Sequence, residues 1–200
     1  MARQINALFE TAKYIDDYMC SINSVAEPIE IHDIALSHRK LDGLFLEFGV
    51  FRGHTINYIS KKIGNEFIFG FDSFEGLPEF WRDGFDKGVF GLNNNLPNVN
   101  SNVRLIKGWF DKSLKDFKVE KPIAYLHIDC DLYSSTKIIF DYLQPYIVQG
   151  TIIVFDEYFN YPGWKQGEFL AFKEFIKTYN YEYEYISYCR NHEQVAVIIK

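Results

Sequence analysis

Cysteine is scarce: Cys20, Cys130 and Cys189 are the three in 200 residues, far apart and with no CxxC pair. That excludes a disulfide framework and a thiolate zinc site, and fits idle thiols in a reducing compartment. Long apolar runs are missing too. No stretch approaches the roughly eighteen residues of a membrane span, and the opening MARQINALFETAKY lacks the apolar core of a signal peptide. The expected location is therefore the cytoplasm. Positive charge is short: 21 Lys and Arg face 27 Asp and Glu, a net charge of −6. No basic field draws the chain to nucleic acid or anionic lipid. Repeats, low-complexity tracts and dividing linkers are also lacking. What is present is an ordinary globular composition, 48% hydrophobic and 24% charged, with enough length for one domain. The aromatic fraction of 18% reads as a ring-rich core.

Periodicity then organises the chain. Residues 5–19 carry Ile5, Leu8, Phe9, Ala12, Ile15, Tyr18 and Met19 at helical spacing, which predicts one apolar face. A second helix is expected from Ile29 to Ser37, so that residues 1–42 form a helical cap. From residue 43 to 200 short apolar runs alternate with helical patterns. Strands are expected over 43–50, 67–71, 103–106, 122–128 and 151–155, and helices over 54–63, 111–117, 135–143 and 167–179. The last two strands, 183–188 and 195–199, lie too close for a crossover helix and must form a hairpin. Such alternation predicts an α/β fold, a mostly parallel sheet covered on both faces. Residues 75–101 are rich in Gly, Pro and Asn and carry Trp81, Phe85 and Phe90. So long an irregular stretch reads as a lid.

In such a sheet ligands sit beyond the carboxyl ends of the strands. The first strand runs into LEFGVFRGHT, where Gly49 and Gly53 permit a tight turn and the next helix offers its N-terminus to an anion. This lacks the G-x-G-x-x-G of dinucleotide folds. The second strand ends in Asp72, placed either to accept ribose hydroxyls or, like Ser73, to cap a turn. Gly108 and Trp109 follow the third strand, with Trp109 either stacking on a ligand ring or joining the core. HIDCDL ends the fourth strand and FDEY the fifth. Asp129, Asp131, Asp156 and Glu157 then converge, because neighbouring strands lie about 5 Å apart. Their repulsion calls for compensation by a divalent cation such as Mg²⁺ or Mn²⁺, unless some of them cap helices or pair with Lys137 and Lys165. His127 alternates in phase with Asp129 and reads as a core histidine or a group facing the site.

Taken in order, LEFGVFRGHT, FGFDSFEGLPE, LIKGWFDKSL, LHIDCDLYSST and GTIIVFDEY resemble the TylF/MycF-type (macrocin) O-methyltransferases, class I S-adenosylmethionine-dependent enzymes. The resemblance runs from about Leu44 to the C-terminus. It implies a Rossmann-like sheet of seven strands in the order 3-2-1-4-5-7-6, with strand 7 antiparallel. It implies that Glu47, Gly49, Arg52, Gly53 and Thr55 cradle the methionine part of S-adenosylmethionine, that Asp72 and Ser73 meet the ribose, and that Gly108 and Trp109 lie by the adenine. Asp129, also beside the cofactor, would hold Mg²⁺ (or Mn²⁺) with Asp156 and Glu157, and Asp131 would act as general base. Glu157 stands where family members often carry a second Asp. The implied partner is a hydroxyl of a sugar, glycan or other small molecule, with the chain forming homo-oligomers. A nucleotide-dependent oxidoreductase and a non-catalytic cofactor-binding domain are the competing readings.

Overall fold

The computed structural model describes residues 2–200. Eight strands form one sheet: β1 (Ser24–Val25), β2 (Leu44–Phe48), β3 (Ile68–Asp72), β4 (Val103–Lys107), β5 (Ile123–Ile128), β6 (Ile152–Phe155), β7 (Tyr183–Cys189) and β8 (Val195–Ile199). The helices are α1 (Ala2–Tyr18), α2 (Glu30–Ser37), α3 (His54–Lys62), α4 (Phe110–Asp116), α5 (Tyr133–Leu143) and α6 (Glu168–Tyr179). The strand order β1-β7-β8-β6-β5-β2-β3-β4 contains the anticipated topology. β8 lies antiparallel between β6 and β7, and the other pairings are parallel. The eighth strand is the unanticipated one. At two residues β1 is too short to show periodicity, and it exists because Ser24 and Val25 pair alongside Tyr188 and Cys189.

The sheet has a core on each face. On one side Phe48, Phe71, Leu126 and Phe155 pack with Leu114, Ile139, Phe140 and Phe172 of α4–α6. On the other Phe45, Tyr125 and Val154 pack with Ile31 and Ala35 of α2 and Ile56 and Ile59 of α3. All six residues of β5 are buried, as a central parallel strand requires. Phe48 and Phe71 stack with centroids 4.5 Å apart, an aromatic contact across the β2–β3 pairing.

Helix α1 departs from its sequence pattern. Ala7 and Thr11 are its buried residues, whereas Ile5, Leu8, Phe9 and Tyr18 are exposed. Polar contacts and one ring choose the inward face. Thr11 Oγ1 accepts the Asn160 N–H, Gln4 donates to the Asn160 carbonyl, and Tyr14 meets Trp164 and Phe169 edge-on. Among the described residues, no helix is long and apolar enough to cross a membrane.

Gly49 ends β2 at φ +92°, and a Cβ there would stand 1.6 Å from the Asp129 carbonyl oxygen. Only glycine fits this contact between two central strands. Gly49→Ala is expected to lower the unfolding free energy by more than about 3 kcal/mol, combining left-handed strain with a backbone clash. Gly163→Ala, at φ +89° with nothing within 4 Å, should cost only about 1–2 kcal/mol. Urea unfolding of the two variants checks the contrast, and equal losses would contradict it.

Candidate active site

A cavity of about 600 Å³ opens at the carboxyl ends of the parallel strands. Gly49, Asp72, Ser73 and Trp109 line one part of it, with Asp129 between them and the acids of β5 and β6. Asp72 is held by its own turn. Its Oδ2 accepts the N–H groups of Val50 and Phe51, each at 2.8 Å, and Oδ1 accepts that of Phe74 at 2.7 Å. The carboxylate thereby ties the β2–α3 turn to the end of β3 and retains lone-pair capacity on the cavity wall. Phe51 takes φ +46° in that turn.

Other residues expected at the cofactor are not among those lining the cavity. Gly53 is the left-handed N-cap of α3 at φ 78°. Arg52 is exposed, its guanidinium 4.9 Å above the Phe51 ring. Thr55 sits in the first turn of α3. Gly108 bends the chain at φ +144°, and its N–H donates to the Asp72 carbonyl. Glu47 is fully buried, beneath the cavity rather than on it.

The four acids at the ends of β5 and β6 all line the cavity. Parallel pairing of His127 with Val154 and of Ile128 with Phe155 sets them side by side. Strand alternation places His127, Asp129 and Asp156 on one face. His127 Nδ1 lies 3.0 Å from Glu47 Oε2, and its Nε2 lies 3.9 Å from Asp156 Oδ1. One donor atom from each of His127, Asp129 and Asp156 falls within 4.8 Å of the others. Glu157 is buried and its Oε2 has no hydrogen-bond partner. The two lysines weighed as neutralising partners are engaged elsewhere, Lys137 with Asp141 and Lys165 with Glu10.

Crowding shows in the proton affinities. Burial, reinforced by the charge of Asp156, holds Asp129 well above the usual carboxylate range and pushes Asp131 up to about 7. Burial likewise raises Glu157, with Asp131 and Asp156 adding to it. Asp156 goes the other way: burial opposes its charge, but contacts with His127, Glu157 and Gln194 lower its pKa. Burial also works against an imidazolium at His127, yet Asp156 and Glu47 hold its pKa well above the ordinary value.

The residues 75–101 close one side. Trp81, Arg82, Phe85 and Phe90 line the cavity, and side chains of the segment anchor it beside them. Glu79 accepts the Ser134 hydroxyl at 2.6 Å, and Arg82 pairs with Glu193 at 3.0 Å while lying 3.8 Å over the Trp81 ring.

Three participants escaped the sequence reading. Glu168, at the start of α6, accepts the N–H groups of Cys130 and Glu157, each at 3.2 Å, and so braces both acid-bearing loops. Arg82 brings a cation to the cavity wall. His32 of α2 meets the His127 ring edge-on at 4.7 Å and bonds Tyr125 through Nδ1 at 2.6 Å. None belongs to a motif, and only the lone acid opening α6 hinted at a role.

The sequence pattern of the methyltransferase domain family matches residues 46–158, more than half of the chain. The chain belongs to that family, and its sheet is the Rossmann-like fold of class I methyltransferases. No curated protein matches the sequence significantly. Among solved structures it is similar to CalS11, a calicheamicin methyltransferase, at a TM-score of 0.66 and 20% identity, over 85% of this chain and 77% of that one. It is also similar to the O-methyltransferase NovP, at 0.61 and 22%, over 85% and 76%. A third is TomG of Streptomyces achromogenes, an O-methyltransferase involved in tomaymycin synthesis and seen with S-adenosylmethionine, at 0.53 and 13%, over 97% and 89%. At such identities the likeness is one of fold.

The acid cluster sets a pH dependence. Glu168 is pushed up to about 8, chiefly by burial, and Asp131 to about 7, both above their unfolded values. The folded state therefore binds more protons than the unfolded one, and stability falls as pH rises from about 4 through 8. The raised His127 adds to the same slope. Urea midpoints of the cation-free protein should decline steadily from pH 5.5 to 8.5. A flat or rising series would contradict these assignments.

Proposed function

We propose that the protein is an S-adenosylmethionine-dependent O-methyltransferase of the TylF/MycF type, acting on a hydroxyl of a sugar or sugar-containing small molecule. The observation that carries this is a single cavity in which Gly49, Asp72 and Trp109 face the carboxylates Asp129, Asp131, Asp156 and Glu157. CalS11 is described as a TDP-rhamnose 3'-O-methyltransferase, in accord with a sugar acceptor.

The donor set fits a hard divalent cation. Asp129 and Asp156 offer oxygens, and the buried Oε2 of Glu157 has no partner, which a cation alongside would supply. Asp129 and Asp156 would hold Mg²⁺ or Mn²⁺, with Glu157 beside them. When bound, S-adenosylmethionine supplies an electrophilic methyl group on sulfur, and the cation lowers the pKa of an acceptor hydroxyl.

The chain's own residues supply binding and proton transfer. Asp72 accepts from the ribose, Gly49 leaves room for close approach, and Trp109 presents a ring face. Trp81 and Phe85 give the acceptor an apolar wall, while the lid excludes water. Asp131 takes the hydroxyl proton as the new carbon–oxygen bond forms and the carbon–sulfur electron pair returns to sulfur.

Transfer of radiolabelled methyl from S-adenosylmethionine to a panel of glycosides tests the reading. Activity should disappear with EDTA and return with Mg²⁺ or Mn²⁺; an EDTA-insensitive enzyme would remove the cation from the scheme. Asp131→Asn should lower kcat by at least about 100-fold with S-adenosylhomocysteine affinity nearly unchanged. Full activity in that variant would exclude Asp131 as the base.

A further inference from the structure

Beneath the acids of β5 and β6 lies one nitrogen that the scheme above leaves unused. His127 is wholly buried, as is Glu47, and they meet at 3.0 Å through Nδ1 and Oε2. An ionised carboxylate only accepts, so the proton in this contact sits on Nδ1. The opposite nitrogen, Nε2, has no hydrogen-bond partner. Its nearest acid, Asp156, stands 3.9 Å away, beyond hydrogen-bond length. The edge-on ring of His32 limits the ring's freedom on the α2 side.

An imidazole anchored on one nitrogen by a buried carboxylate, with its other nitrogen aimed at two further carboxylates, is arranged as a metal ligand with its orienting partner. Its reach agrees, since donor atoms of His127, Asp129 and Asp156 share a 4.8 Å span that a cation can draw together. Glu157 is not in this group, and its backbone N–H is committed to Glu168.

We propose that His127 Nε2 is a further protein donor to the cation held by Asp129 and Asp156, with Glu47 orienting the ring. The inference rests on the cation-dependent part of the proposed function. In forming the site the cation takes the place of any proton on Nε2. A mixed nitrogen and oxygen set has a consequence for selectivity. Mg²⁺ prefers oxygen donors and gives up water reluctantly, whereas imidazole favours Mn²⁺ and the later divalent ions. The site therefore binds Mn²⁺ more tightly than Mg²⁺, by an expected factor of about ten or more.

The test is electron spin-echo spectroscopy of Mn²⁺ bound to the full-length protein grown with ¹⁵N-labelled histidine and without S-adenosylmethionine, paired with calorimetric titration of Mn²⁺ and Mg²⁺. The expected result is a ¹⁵N coupling typical of a coordinated imidazole, absent from His127→Gln, and a preference for Mn²⁺ that falls to within about threefold in that variant. The wild-type spectrum decides even if His127→Gln does not fold. Mn²⁺ binding without ¹⁵N coupling overturns the histidine ligand and leaves an all-carboxylate site. Failure to bind either cation overturns both this inference and the cation part of the function, while methyl transfer, measured separately, would still stand or fall alone.

Discussion

The parallel pairing of β5 with β6 is the constraint on which the site depends. It sets HIDCD beside FDEY and forces four carboxylates into a space that an ordinary core would fill with apolar groups. Burying unpaired charge is costly, and the surrounding structure answers that cost. Asp129, Asp131 and Glu157 are displaced toward their protonated forms, and Asp156 keeps its charge against His127. Glu168 collects two backbone N–H groups from the loops that carry the acids. A cluster held this way sacrifices stability for chemistry, a pattern that marks functional sites more often than structural ones.

The two faces of the sheet divide the work. On the α4–α6 side the layer under the site is aromatic and aliphatic, with Phe140 stacked on Phe175 at 4.4 Å. On the α2 side a polar string runs through Tyr125, His32, His127 and Glu47 toward the acids. A rigid apolar layer fixes where the strands end, and the polar string tunes what stands on their ends. Above them Trp81, Phe85 and Phe90 line the cavity. The cation on that wall, Arg82, is already engaged by Glu193, so the wall is dominated by rings and carboxylates.

Much of this was legible in the sequence because periodicity and strand-end position are local. The strands and helices from residue 43 onward fall within a few residues of their patterns, and Asp72, Trp109 and the four acids line the cavity at the strand ends. What failed to show depends on distant partners. The inward face of α1 is chosen by Asn160 and Trp164, more than 140 positions away. The two residues of β1 exist only as an addition to β7. His127 read first as a core histidine because Glu47, 80 positions earlier, decides where its nitrogens go. Asp72 was recognisable as a strand-end acid, but its three backbone N–H bonds follow from a turn that sequence does not specify.

A cavity with Asp72 and Trp109 on its wall and no G-x-G-x-x-G turn should accept a sulfonium cofactor and not a dinucleotide. Calorimetric titration of the purified protein with S-adenosylhomocysteine and with NADH tests it most directly. One S-adenosylhomocysteine should bind per chain, in the micromolar range or tighter, with no heat above dilution from NADH. Saturable NADH binding with no response to S-adenosylhomocysteine would contradict it.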